Sequence, residues 1–324
     1  EPNVETDWMA TGDLVVGMVF LSQTILGILG NFSLLCHCLL LHFTGCRARC
    51  TDLILRHLTI ANSLVIITKG VPQTMAAFGL KYYSQDFRCI LLFFVQRVAR
   101  GVSMESTCLL SVFQAITISP QNSMWAVLKG KAPRYIVPST TVCWILNILI
   151  NTIFPLSVIG KWMDANITRK TDYGYCSSVF YHKLIASLFA AWLSFSDVLA
   201  LGLMLWASGS MVSTLYRHKQ RVRHIHTTSH STRSSVESRA TKSILVLVST
   251  FVFFYALSSI CQICLSFLNT SSRLVVNMSA FFTMCFPFLS PFVLMSYDSR
   301  VTRLSFAWRT KENSNILGHL GGSV

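Results

Sequence analysis

Four stretches of this 324-residue chain, 14–43, 135–159, 243–268 and 274–297, contain no Asp, Glu, Lys or Arg. A helix needs about 20 apolar residues to cross a hydrocarbon core about 30 Å thick, and each run is longer than that. Three further runs, 51–79, 89–119 and 184–216, carry only a few charges each, which brings the expected spans to seven. Only 12% of the residues are charged, against roughly 25% in a soluble domain, so a water-soluble fold is excluded. Pro72, Pro138, Pro155, Pro287 and Pro291 lie inside these runs. They would break soluble helices, but in a bundle neighbouring helices take up the freed backbone groups. Ten-residue apolar/polar alternation is missing, which excludes a β-barrel. The expected fold class is an all-α membrane protein, a seven-helix bundle.

The net charge of +14 raises nucleic acid as a partner, but the distribution of the charge argues against it. Segments 44–50, 120–134, 216–242 and 298–324 hold sixteen Lys or Arg, and segments 1–13, 80–88, 160–183 and 269–273 hold seven. Positive loops stay cytoplasmic, so the N-terminus is expected outside and the C-terminus inside, at the plasma membrane. The expected organisation is an outer N-terminus at 1–13, a helical domain at 14–308 and a cytoplasmic tail at 310–324. No basic region precedes a short apolar core at the start, so the first span is expected to act as the targeting element. The chain does not begin with Met, which leaves room for further natural sequence ahead of Glu1.

Of the eleven Cys, nearly all fall in spans or on the inner side, where thiols stay reduced. Cys89, opening the third span, and Cys176, in the second outer loop, are the pair available to the oxidising compartment. A bridge between them would pin that loop over the third helix; the alternative is two free thiols. Cys261 and Cys264 form a CxxC on an uncharged span, read as small apolar packing rather than a redox pair. Cys46 and Cys50 flank the first inner loop, where acylation is an open option. Asn166-Ile167-Thr168 is a glycosylation sequon in an outer loop, and Asn269 begins a weaker one hard against the membrane.

Ionisable side chains at membrane depth call for a partner or a function. Lys69 lies on the second span, Arg97, Arg100 and Glu105 on the third, and Asp197 on the fifth. Arg97, Arg100 and Met104 share one helical stripe, and Glu105 is rotated away from it. The two arginines fall roughly 12 to 17 Å below the outer end of the span. In one reading Lys69, Arg97, Arg100 and Met104 line an outward cavity that favours an anionic or strongly accepting small molecule. In the other the charged groups pair with Glu105, Asp197 or carbonyls and lock the bundle, the stronger case for Arg100. Asn31 and Asn62 are expected to face the bundle interior as interhelical hydrogen-bonding groups.

On the inner face, Lys129 and Lys131 in the second loop and Arg217, Lys219, Arg221 and Arg223 in the third form a basic surface. It serves either anionic lipid or a cytoplasmic partner. Val301, Leu304 and Trp308 recur at helical spacing among arginines, which predicts an interfacial amphipathic helix over about 298–309.

The motifs together resemble the vomeronasal type-1 receptors from about residue 14 to 308. The resemblance rests on His57-Leu58-Thr59-Ile60-Ala61-Asn62, Gly70-Val71-Pro72-Gln73-Thr74-Met75, Leu289-Ser290-Pro291-Phe292 and above all Phe113-Gln114-Ala115-Ile116-Thr117-Ile118-Ser119-Pro120. It implies a G-protein-coupled receptor that detects small chemosignals and couples to an inhibitory-type heterotrimeric G protein. Relative to rhodopsin-like receptors, Asn62 replaces the sodium-site Asp, Phe113-Gln114-Ala115 stands where those have Asp-Arg-Tyr, and Ser290-Pro291 where they have Asn-Pro. A sodium-dependent mechanism and an Arg-centred inner lock are therefore not expected. Gln114 retains the capacity to hydrogen-bond a G-protein terminus or a neighbouring helix without charge.

Neither paired acids, a P-loop nor metal-ligand spacing appears, so no enzyme activity, cofactor or metal is expected. A bitter-taste-like receptor is the nearer rival reading. A secondary transporter is the more distant one, which paired broken helices in repeated halves would favour.

Overall fold

The computed structural model describes residues 3–43, 50–79, 87–119, 126–159, 171–172, 177–178, 183–224, 232–268 and 273–297. Seven long helices run through them: α1 (Asn3–Phe43), α2 (Cys50–Ala77), α3 (Phe87–Ile118), α4 (Ala126–Ile159), α5 (Lys183–His224), α6 (Thr232–Leu268) and α7 (Arg273–Tyr297). Each is long and apolar enough to cross a membrane, where intrahelical bonding is how an isolated segment satisfies its own backbone. Between α4 and α5, strands β1 (Thr171–Asp172) and β2 (Ser177–Ser178) pair antiparallel, Thr171 against Ser178 and Asp172 against Ser177. The segment expected to form the amphipathic helix, about 298–309, lies outside the described residues.

α3 is the central helix and packs against α2, α4, α5 and α6, while α1 and α7 close the bundle beside α2. Lipid supplies no hydrophobic drive between helices, so close approach depends on small residues and buried polar bonds. A side chain at Gly70 of α2 would collide with Thr24 of α1 and Met284 of α7, and one at Gly101 of α3 with Asn147 of α4. Gly79 ends α2 with φ +76°, a conformation costly for any residue with a Cβ, and its amide donates to Ala76 O at 3.1 Å. The largest apolar cluster draws on all seven helices, from Leu34 and Leu58 through Met104, Ile136, Met204 and Leu247 to Phe286.

Two prolines one turn apart give α7 its main tie. Pro291 has no N–H, so the carbonyl four residues earlier, at Pro287, has no backbone donor in its own helix and only a long 3.4 Å approach from the Ser290 hydroxyl. Asn31 of α1 fills that vacancy: its Nδ2 donates to Pro287 O at 2.9 Å and to Gly27 O at 2.8 Å. Beside it, Asn62 Nδ2 donates to Ser290 Oγ at 2.8 Å while Asn62 Oδ1 accepts from Ser103 Oγ at 2.6 Å. Asn31 and Asn62 are both fully buried, so these bonds stitch α1, α2, α3 and α7 together away from water and lipid.

Candidate functional site

Arg100, near the middle of α3, is half-buried, and its Nη2 lies 3.6 Å from Asp197 Oδ2 on α5. The Tyr255 hydroxyl of α6 donates to the same carboxylate oxygen. The guanidinium also sits over the Tyr255 ring, 4.9 Å from its centroid, within the range of a cation–π attraction. Three helices are thus joined through one Arg, one Asp and one Tyr. Tyr255 in turn stacks on Phe251, which meets Phe286 of α7 edge-on at 4.7 Å. Glu105, one residue past the stripe of Arg100 and Met104, lies beside Cys143 and Asn147 of α4.

A cavity of about 40 Å³ opens beside this group, walled by Val65 of α2, Arg100 and Ser103 of α3, and residues of α6 and α7. Phe251, Phe254, Phe282 and Phe286 give it an aromatic lining, and Ser258 and Thr283 add hydroxyls, bonded to each other at 2.8 Å. Among the described wall residues Arg100 supplies the formal charge, because Asp197 stands behind the wall and not on it. A water needs roughly 10–15 Å³ of such space, so the cavity holds about three. Small-molecule sites span about 300–1,000 Å³, so occupancy by anything larger requires the walls to part.

The four residues expected to line a cavity are distributed unevenly. Arg100 is on the wall; Lys69 and Arg97 are half-buried off it, and Met104 is buried in the main apolar cluster. At the ends of α3 to α5, Lys129, Lys131 and Arg217 are exposed, whereas Gln114 is buried. The side chains of Lys219, Arg221 and Arg223 lie outside the described residues. So do Cys176, Asn166, Asn269 and the side chain of Cys89, although the backbone of Cys89 belongs to α3. In the sequence, the aromatic, Met-rich stretch 281–288 of the seventh span is open either to lining an apolar pocket or to packing against lipid and neighbours, and it supplies Phe282 and Phe286 to the wall. Sequence reasoning missed Tyr255, Ser103 and the α6 phenylalanines, which nothing in the linear pattern separates from lipid-facing positions.

Seven membrane-length helices around a cavity at mid-depth are the architecture of a G-protein-coupled receptor. The sequence matches the vomeronasal organ pheromone receptor family over residues 14–307. It is 54% identical to vomeronasal type-1 receptor 4 of Homo sapiens over 301 residues, 93% of this chain and 100% of that one. Vomeronasal type-1 receptor 1 of Gorilla gorilla gorilla is 44% identical over 309 residues, covering 95% and 87% respectively. At greater distance, olfactory receptor class A-like protein 1 of Danio rerio is 30% identical over 288 residues, covering 89% and 90%. The chain belongs to the vomeronasal type-1 receptor family. It is therefore a multi-pass chemosensory receptor, not an enzyme, with a small-molecule ligand and a G protein as its general partners.

Proposed function

We propose that this receptor binds its chemosignal in the cavity between α3, α6 and α7, with Arg100 selecting ligands that present an anionic or strongly accepting group on an apolar body. The observation carrying this reading is the wall itself: a guanidinium set among phenyl rings, with the neighbouring carboxylate withdrawn behind it. A charge-assisted hydrogen bond in such a low-dielectric site is about twice as strong as a neutral one. Lys69, Arg97 and Met104 complete the ligand-binding set as groups a ligand reaches once the walls part; in this conformation the two cations are half-buried off the wall and Met104 lies in the main apolar cluster. The receptor sits in the plasma membrane with its N-terminus outside, a placement supported by the sixteen-to-seven division of Lys and Arg. Cys89 and Cys176 bridge across the outer face, and Asn166 carries a glycan. Lys129, Lys131, Arg217, Lys219, Arg221 and Arg223, with Gln114 once the inner ends separate, receive an inhibitory-type heterotrimeric G protein.

The test is cellular expression with a G-protein readout, screened against matched acidic, neutral steroidal and volatile panels. Acidic compounds that act on the wild type and lose potency at least tenfold in Arg100→Gln, and measurably in Lys69→Gln or Arg97→Gln, are the expected result. Activation by neutral compounds alone, equal in all variants, overturns the ligand reading. Inhibitory-type coupling is checked by pertussis-toxin sensitivity of the response. Asn166→Gln should abolish a glycosidase-sensitive shift on gels, and tags at the two ends should stain on opposite sides of the membrane.

A further inference from the structure

The cavity is too small for a chemosignal in this conformation, so part of its wall must move. The moving part is identified by what holds it. On the α1, α2 and α7 side, the wall is backed by the Asn31–Pro287 and Asn62–Ser290–Ser103 bonds. On the α5 and α6 side, the described polar ties to α3 converge on a single carboxylate: Asp197 Oδ2 receives both Arg100 and Tyr255. Arg100 is also the group on the wall facing the space a ligand would fill.

We propose that Arg100, Asp197 and Tyr255 form a latch that keeps α5 and α6 against α3 in the unliganded receptor, and that a ligand opens it by drawing the guanidinium away from Asp197. The opening step rests on the ligand reading given above; the closed latch does not. Asp197 is a positioning residue that the ligand need not touch. It occupies Arg100 in the resting state and sets how strongly a ligand must compete. A guanidinium offers five donors in a fixed fork, and one 3.6 Å contact to one carboxylate oxygen leaves that fork able to re-aim. Once it turns, Tyr255 loses its cation–π partner and retains a bond only to Asp197, so α5 and α6 are freed from α3 together. A ligand can shift the equilibrium only by its differential affinity for the two arrangements. Prior weakening of the latch therefore raises activity with no ligand present.

The experiment uses the full-length receptor in nanodiscs without ligand. It reads nucleotide exchange on a panel of purified heterotrimers and the emission of an environment-sensitive fluorophore placed at Lys242, an exposed position on α6. Asp197→Asn retains an acceptor for Tyr255 but removes the charge, and should raise basal exchange on the order of tenfold and shift the emission. Tyr255→Phe should do the same to a smaller extent. The reciprocal swap, Arg100→Asp with Asp197→Arg, restores the ion pair but leaves the Tyr255 hydroxyl without its acceptor, so both readouts should fall to about those of Tyr255→Phe. Should Asp197→Asn fail to fold, the swap and Tyr255→Phe decide. Resting exchange and unshifted emission in folded Asp197→Asn or Tyr255→Phe overturn the latch. Raised exchange on a stimulatory heterotrimer instead of an inhibitory one supports the latch while refuting the proposed coupling. A latch that opens in these variants while no acidic compound activates the wild type separates the resting lock from the ligand reading.

Discussion

The two halves of the bundle are held by different means. Within an apolar 18-residue stretch of each span, half of the residues are buried in α2 and α3 and 44% in α7, against 17% in α5 and 28% in α6. The first group is joined by amide and hydroxyl hydrogen bonds at fixed distances and by glycines that admit a neighbouring helix. The second lies on lipid, with Leu203, Leu205 and Trp206 of α5 exposed to the extent of 50%, 56% and 51%. Apolar helices in lipid gain little from contact that lipid tails do not also supply. A helix with few buried ties can shift at small energetic expense, which suits the element that must give way to a ligand. The contrast teaches that one half serves as the frame and the other as the moving wall.

Substitutions of one kind on both halves put this contrast to the test, with thermal unfolding in detergent followed by a thiol-reactive dye that reaches Cys38, Cys108 and Cys285, which are buried in the folded state. The largest loss is expected for Gly70→Val on the frame, where the new side chain meets Thr24 and Met284; overpacking of this kind costs about 1–3 kcal/mol. Asn62→Leu comes next, since it strands the hydroxyls of Ser103 and Ser290, which can partly turn to their own helices, for about 1–2 kcal/mol. Asn31→Leu should cost roughly 0.6–2 kcal/mol and loosen α1 from α7. At the other extreme Gly202→Ala and Gly209→Ala on α5 meet nothing within 4 Å and should stay within about 0.5 kcal/mol of the wild type. Equal losses at Gly70 and Gly202 would break the division into frame and moving wall.

Much of the fold was legible because a bilayer imposes a simple rule: charge-free runs of sufficient length become helices. The inward placement of Asn31 and Asn62 was legible for a related reason, since a polar side chain at that depth seeks another helix. Helix adjacency was not legible, because core-facing and lipid-facing positions are equally apolar; Met204 is fully buried while Leu203 beside it is half exposed. The cavity was harder still. Arg100 and Asp197 stood out as charges, but Tyr255 lies in the aromatic stretch 251–255, where its hydroxyl acquires meaning only once α3 and α5 arrive beside it. Gln114, whose amide the sequence left open to a G-protein terminus or a neighbouring helix, is buried in this conformation, a choice that a linear motif has no means of reporting.

The paired prolines of α7 also bear on how this sequence can change. The acceptor used by Asn31 exists because Pro291 lacks a hydrogen to give, so Pro291→Ala hands the Pro287 carbonyl back to its own helix. In that background the loss of Asn31 should be nearly silent, whereas alone it is harmful. Two positions 260 residues apart in the chain are thereby bound in epistasis, and a lineage that sheds one is released from keeping the other.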